Sequence, residues 1–107
     1  MSLTVSPTPE WAPLPRPGCV RVEFRVLLEA PSLVLASLRF APLGSIDEHA
    51  ADYGIDVVCL SGEGFVSVGP ERRSLRAGER VHWPKGSEHC LWTEASAMET
   101  LMVEHRK

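Results

Sequence analysis

Glycine and proline divide this chain into short segments, and that division restricts the fold more than any other feature. The 107 residues include 8 Gly and 9 Pro. Beyond the first 18 residues, these turn residues and their polar neighbours separate roughly eight apolar or alternating segments, with a turn signal every 8–12 residues or so. Short segments at this spacing are typical of β-sandwiches and barrels. We therefore predict an all-β fold, a jelly roll of short antiparallel strands.

The segments themselves have the composition of strands. Val20–Val26 alternates apolar residues with Arg and Glu, which is the pattern of a half-buried strand. Turns are predicted at Ala41–Ser45 and at Ser61–Gly64, and a single turn near Glu48–Tyr53 is the main helix candidate. The other predicted strands are Leu33–Phe40, Ile55–Leu60, Phe65–Val68, Ser74–Ala77, Arg80–Trp83, Cys90–Thr93 and Met98–Glu104.

Residues 1–18 are predicted to be a proline-rich N-terminal arm. Five prolines lie between Pro7 and Pro17, and proline removes backbone donors that a helix or a sheet needs. Trp11 and Leu14 are apolar residues that could attach this arm to the rest of the chain. A length of 107 residues suits one hydrophobic core. We therefore predict a single barrel domain over residues 19–107.

Composition excludes several classes of function. The net charge of −3 and the pI near 5.8 argue against binding to nucleic acid through phosphate contacts. The longest uncharged runs, Met1–Pro9 and Ala30–Leu38, are too short to span a bilayer, and no signal-peptide pattern opens the chain. The odd number and wide spacing of Cys19, Cys59 and Cys90 favour reduced thiols. We expect a cytoplasmic protein that binds neither nucleic acid nor membranes.

One stretch suggests a known family. Gly78 to His89 reads G-x5-P-x-G-x2-H, which resembles the second conserved motif of the cupin superfamily. Gly78 would turn the chain into a strand, while Pro84 and Gly86 would form the tight bend at its end. The next strand would then begin with His89 directed into the barrel. The resemblance implies a small single-domain cupin, a conserved β-barrel of the jelly-roll type.

The first cupin motif, usually written G-x5-H-x-H-x3,4-E-x6-G, is matched only in part between Gly44 and Gly62. His49 occupies the first histidine position to within one residue, but Ala51 stands at the second histidine position and Ile55 at the glutamate position. Cupin metal sites usually take three imidazoles and one carboxylate. The resemblance therefore implies a barrel whose metal motif is partly degenerate.

Two interpretations of the histidines follow. In one, His49 and His89 hold a divalent metal ion (Zn, Fe, Mn or Ni). The third ligand would come from Glu48, Asp52, Asp56 or Cys59, or from water. In the other, the two histidines are polar residues of a degenerate pocket. Strand alternation from Ile55 directs Asp56 outward and Cys59 inward, unless a bulge reverses the faces. The predicted pocket-lining residues are Ala51, Ile55, Val57, Cys59, Trp83 and Leu91.

Three functions stay open at this point. The first is a barrel that binds a small organic molecule, because apolar residues stand where ligands of a metal are expected. The second is a metal-dependent cupin enzyme, a dioxygenase, isomerase or similar, acting on a small metabolite. The third is an accessory module with a protein partner. No nucleotide or flavin cofactor is expected, and no catalytic residue is assigned. Small cupins are commonly homodimers, and Val20–Val26 offers a strand for such an interface. His82 is expected on the solvent face, and His105 in a solvated tail.

Overall fold

A computed structural model describes the backbone of residues 2–106 and the side chains of those residues, except those of Glu48 and His49. The described chain is built from eight antiparallel strands and contains no helix, so the all-β prediction is confirmed. The strands are β1 (Ala12–Pro13), β2 (Cys19–Ala30), β3 (Leu33–Ala50), β4 (Gly54–Val68), β5 (Glu71–Arg76), β6 (Arg80–Trp83), β7 (Glu88–Trp92) and β8 (Met98–His105).

Two long strands close the barrel by changing partners halfway along their length. The first half of β3, Leu33–Phe40, pairs with β2 and β8, and its second half pairs with β7 and, at Ser45 and Ile46, with the start of β2. The first half of β4, Gly54–Gly62, pairs with β8, and its second half pairs with β5 and β7. Strand β6 pairs with the first half of β4. The ring of pairings β3–β8–β4–β7 therefore returns to β3.

The predicted turns at Ala41–Ser45 and Ser61–Gly64 are wrong as turns, because both segments are bends inside continuous strands. Leu43 and Gly62 have positive φ angles of 63° and 74°, which bend each strand without ending it. The glycine and proline signals marked a real change in direction. The strand nevertheless continues, because its backbone pairs with a different strand beyond the bend.

A threonine fixes the bend in β3. The Thr93 hydroxyl donates to the Ala41 carbonyl oxygen at 2.6 Å and accepts from the Gly44 N–H at 2.9 Å. Thr93 is buried, so these two hydrogen bonds satisfy backbone groups that the ladder leaves unpaired at the bend. The corner of the barrel thus depends on a residue that follows β7.

The predicted helical turn near Glu48–Tyr53 is also wrong. Strand β3 continues to Ala50, and a bend follows it. The Ala51 N–H donates to the Ser87 carbonyl oxygen at 3.1 Å, and the Gly86 N–H donates to the Ala51 carbonyl oxygen at 2.7 Å. These bonds tie the segment to the β6–β7 connection, so its backbone groups are not available to a local helix.

The N-terminal arm is attached through one aromatic residue. The Trp11 ring lies between two guanidinium groups, with Arg25 Cζ 4.5 Å and Arg39 Cζ 4.3 Å from its centroid. Strand β1 then pairs with Phe24 and Glu23 of β2. Leu14 follows and packs against the hydrophobic core. The prediction that Trp11 and Leu14 attach the arm is confirmed by these contacts.

The core lies inside the barrel and follows strand alternation. Ile55, Val57 and Cys59 of β4 are buried. Asp56, between Ile55 and Val57, points outward, as the sequence predicted. The other buried members of the core are Val22, Ala36, Leu38, Phe40, Ile46, Ala51, Val66, Leu75, Trp83, Leu91 and Met98.

Candidate functional site

A cavity of about 310 Å³ lies in the barrel. That volume is at the small end of the range for small-molecule pockets, about 300–1,000 Å³. Its interior is mainly apolar and buried, and its exposed rim carries Arg16, Asp52, Tyr53 and Arg106. The inner walls are formed by Leu14, Phe24, Ala36, Leu38, Ile46, Ala51, Ile55, Trp83, His89 and Met102.

The bend between β6 and β7 places the two aromatic groups of this cavity. Gly86 has a φ of 84°, and the Ser87 hydroxyl donates to the Pro84 carbonyl oxygen at 2.6 Å, which holds the bend closed. Trp83 ends the strand before the bend, and His89 lies in the strand after it. Their rings stack with centroids 3.8 Å apart and planes 19° from parallel.

Both stacked side chains are almost completely buried. Each is 2% exposed. The indole N–H of Trp83 has no acceptor among the described residues. The His89 Nδ1 lies 3.4 Å from the Ser87 carbonyl oxygen, within reach for a ring N–H donor. The wall therefore contains a buried N–H that no described residue accepts, which is rare in a buried position.

Backbone pairing brings the two histidines of the sequence prediction into register. His49 of β3 lies opposite His89 of β7, and Ala50 lies opposite Glu88. The side chain of His49 lies outside the described part of the structure.

The predicted pocket-lining residues are divided between two locations. Ala51, Ile55 and Trp83 line the cavity together with His89. Val57, Cys59 and Leu91 are buried in the core, each 1% exposed, and they do not line this cavity. Burial raises the pKa of the Cys59 thiol, which lies 3.5 Å from the Ser61 carbonyl oxygen. Cys59 is therefore a buried, protonated thiol beside the bend in β4.

Several residues of the cavity were missed by sequence reasoning. Leu14 and Arg16 come from the arm, Phe24 from β2 and Met102 from β8. The alternation in β2 and β8 gave a signal for Phe24 and Met102, because it directs both inward. No local signal marks Leu14 and Arg16, because their place depends on where the arm crosses the barrel.

This arrangement of strands resembles several solved structures. The polyketide cyclase RemF from Streptomyces resistomycificus is similar at a TM-score of 0.87 with 20% identity, over 100% of this chain and 81% of that one. A cupin-2 domain from Rhodospirillum rubrum is similar at a TM-score of 0.83 with 19% identity, over 99% of this chain and 75% of that one. The chain has the cupin fold. A third similar structure is a cupin 2 conserved barrel domain protein from Rhodopseudomonas palustris. Its TM-score is 0.79 with 15% identity, over 95% of this chain and 81% of that one.

These similarities concern the fold. No protein-family model matches the sequence, and no curated protein matches it either. In residues 2–106, the structure has no helix of the length and apolarity needed to span a membrane.

In the part of the chain with described side chains, no three His, Cys, Asp or Glu residues are grouped to hold an ion. Ala51 and Ile55 contribute apolar surface to the cavity at the two positions where the cupin motif would supply ligands. Of the described histidines, His89 is the one that lines the cavity.

A separate polar cluster lies on the outer surface of the cupin barrel. The His82 Nδ1–H donates to Asp56 Oδ1 at 3.1 Å, and the His105 Nε2–H donates to Asp56 Oδ2 at 2.8 Å. Arg80 lies 3.8 Å from the same carboxylate. His82 is exposed, as predicted. The prediction that His105 belongs to a solvated tail is wrong, because β8 extends to His105 and pairs it with Leu33 and Gly54.

Burial and hydrogen bonding oppose each other at Asp56. Burial raises the pKa of this carboxyl, but the hydrogen bonds from His105 and His82, together with the charge of Arg80, lower it further than burial raises it. The net effect is a pKa below its ordinary value. Asp56 is thus held as a carboxylate on the outside of the barrel, across the sheet from the cavity.

Proposed function

We propose that this protein binds a small, mainly apolar organic molecule in the barrel cavity. The observation that carries the proposal is the cavity of about 310 Å³, whose interior is apolar and whose rim is polar. Apolar walls supply affinity for an apolar ligand, and a few polar groups orient it. Phe24, Leu38 and Met102 form such walls, while Arg16 and Arg106 stand at the entrance.

The replaced motif positions support binding without a metal. Ala51 is 5% exposed and Ile55 is 8% exposed, and both face the cavity. The alanine leaves more space than a histidine would, the isoleucine is more apolar than a glutamate, and neither side chain can ligate an ion. Among the solved structures with this fold, RemF is a polyketide cyclase. That name is compatible with a largely apolar carbon skeleton as the class of ligand.

A metal-dependent enzyme is the second candidate, and one observation favours it. The register of β3 and β7 places His49 opposite His89, as two ligands of one ion would require. An ion bound there would act as a Lewis acid. Two histidines alone hold a divalent ion weakly, because each ligand must offset the loss of the ion's water shell. The apolar ligand is therefore our first proposal. A homodimer and a cytoplasmic location remain predictions.

Calorimetry with para-ethylphenol as the probe tests the proposal. The unaltered protein is expected to bind this probe with one site per chain. Ala51→Phe fills the cavity and is expected to abolish binding. Ala95→Phe is the matched control, because it makes the same substitution at an exposed alanine between β7 and β8. Thermal unfolding of both variants checks that they are folded. Equal binding by the Ala51→Phe variant, or no binding by the unaltered protein, would overturn the proposal.

Metal analysis of protein purified without chelator decides between the two candidates. We expect no stoichiometric metal. A stoichiometric ion that is lost in both His49→Ala and His89→Ala, and kept in His82→Ala, would favour the metal-dependent enzyme. His82→Ala is the matched control because His82 lies on the outer surface, where it contacts Asp56.

A further inference from the structure

A second concave surface begins where the barrel cavity ends. It is an open groove of about 910 Å³ formed by β2, β3, the bend in β4 and the start of β8. Val22, Phe40 and Met98 give it an apolar floor, while Arg21 and Glu99 lie among its other residues. The groove and the barrel cavity are separate spaces with different walls.

Leu14 lies between these two spaces. Among the described residues, it is the one that lines both the cavity and the groove. It is half-buried and packs against the hydrophobic core. The N-terminal arm therefore contributes a side chain to the boundary between the cavity and the groove.

The backbone at Leu14 is held from several sides. Its N–H donates to the Val22 carbonyl oxygen at 3.0 Å. Pro13 precedes it and Pro15 follows it, and a residue before proline is restricted to extended conformations. Three residues earlier, Trp11 is held between two guanidinium groups. The backbone position of Leu14 is therefore fixed in the protein without ligand.

We infer that Leu14 determines the length of the ligand that the barrel accepts. This inference rests on the proposed function. A compact apolar molecule fits within the cavity, and the Leu14 side chain stops a longer one from extending into the groove. Shortening this side chain joins the two spaces. The arm is then a specificity-determining part of the binding site.

The class of ligand follows from the two volumes. The cavity of about 310 Å³ suits a short or compact apolar molecule, and the adjoining groove would take an alkyl extension against Val22, Phe40 and Met98. Each methylene buried against such a surface strengthens binding about fourfold. In the unaltered protein, affinity should therefore stop rising after the first few added methylenes. It should continue to rise when the Leu14 side chain is shortened.

Calorimetry with para-ethylphenol, para-hexylphenol and para-nonylphenol tests the inference. For the unaltered protein, we expect affinity to stop rising, or to fall, between the short and the long probes. For Leu14→Ala, we expect affinity to keep rising, with a gain of tenfold or more for para-nonylphenol over para-ethylphenol. Leu14→Val, which shortens the side chain less, should lie between them and serves if the alanine variant is unfolded.

Leu3→Ala is the matched control, because Leu3 is an exposed leucine of the same arm. It should reproduce the unaltered protein. The inference is overturned if the unaltered protein and the Leu14 variants show the same dependence on chain length while all of them bind para-ethylphenol. Failure of every protein to bind para-ethylphenol would overturn the proposed function, and with it this inference.

Discussion

The imidazole of His89 lies against the indole of Trp83, with ring centroids 3.8 Å apart. The two residues flank the bend at Pro84 and Gly86 that resembles the second cupin motif. The stack buries both rings, and it leaves the Trp83 N–H without an acceptor among the described residues. The turn that resembles a cupin motif thus has a physical consequence, because it places two stacked aromatic rings in the cavity wall together with a donor that no described residue accepts.

Two substitutions of Trp83 distinguish the stability that the ring stack provides from the cost of the N–H that no described residue accepts. Trp83→Phe keeps an aromatic ring and removes the indole N–H. Burying that N–H without an acceptor costs about 1–3 kcal/mol, so its removal should offset most of the packing energy that is lost with the larger ring. Trp83→Ala should reduce the free energy of unfolding by about 3–5 kcal/mol. Urea unfolding measures both. An equal loss in the two variants would contradict this account. Trp92→Phe, at a half-exposed tryptophan, is the control.

The cluster around Asp56 should make stability depend on pH in the acid range. The pKa of Asp56 is lower in the folded chain than its ordinary value of 3.8. The stability that the Asp56 carboxylate contributes is therefore fully present above pH 3.8, and it is lost as the pH falls through the lower pKa of the folded chain. Because His82 and His105 are about half exposed, Asp56→Asn should cost roughly 1 kcal/mol or less at neutral pH.

Unfolding measured between about pH 6 and about pH 2 tests this prediction. Asp56→Asn should lose stability less steeply than the unaltered protein on acidification. Asp52→Asn, at an exposed aspartate on the rim, should keep the full dependence. Identical acid profiles for the unaltered protein and the Asp56→Asn variant would show that this carboxylate makes no such contribution.

The bend in β4 should tolerate no side chain at Gly62. Its φ is 74°, and a Cβ there would clash with the Ala97 carbonyl oxygen, which belongs to backbone and cannot rotate away. Gly62→Ala should therefore cost about 3 kcal/mol or more. Gly69→Ala is the control, since its φ of 57° is similar and nothing lies within 4 Å of its added Cβ. That variant should lose only about 1–2 kcal/mol, from backbone strain. Similar losses at both sites in chemical unfolding would rule out the clash.

Loss of Trp11 should loosen the arm. Each contact between a guanidinium group and the Trp11 ring is worth about 0.5–1 kcal/mol at an exposed site. Trp11→Ala should therefore speed hydrogen exchange of the Leu14 amide by roughly five- to thirtyfold, because that amide bonds to Val22 only while the arm is docked. Trp92→Ala removes a similar contact with Arg72 on β5 and should leave the Leu14 amide unchanged. Unchanged hydrogen exchange of the Leu14 amide in the Trp11→Ala variant would contradict the role of Trp11 in holding the arm.

We predict a homodimer in solution. Strand β2 carries exposed apolar residues, with Val20 51% and Leu28 50% exposed. The two-residue strand β1 pairs with β2 only at Glu23 and Phe24, so among the described strands the rest of that side of β2 has no strand partner, which favours pairing with another chain. Light scattering at micromolar concentration should give twice the mass of one chain, and Leu28→Lys should shift the population toward monomer. A monomer in the unaltered protein would refute the prediction.

Much of the fold was readable from local patterns. Alternation from Ile55 to Cys59 predicted a strand with the correct faces. In Val20–Val26 it predicted the strand, but Val20 is exposed because the register shifts between Val20 and Val22. The resemblance of Gly78–His89 to a cupin motif predicted the bend that delivers His89 into the barrel. The predicted turns at Ala41–Ser45 and Ser61–Gly64 were wrong because a turn residue reports a change in direction. It does not report whether the strand finds a new hydrogen-bonding partner beyond it.

The sequence by itself determined the class of fold, because the spacing of turn residues follows from residue type along the chain. Its resemblance to the cupin motifs predicted the strand that carries His89 and the apolar residues Ala51 and Ile55 at ligand positions of the motif. The tertiary structure alone decided that Leu14 divides two spaces and that His105 shares a carboxylate with His82. These contacts join residues far apart in sequence, and their distances are fixed only when the strands close into a barrel.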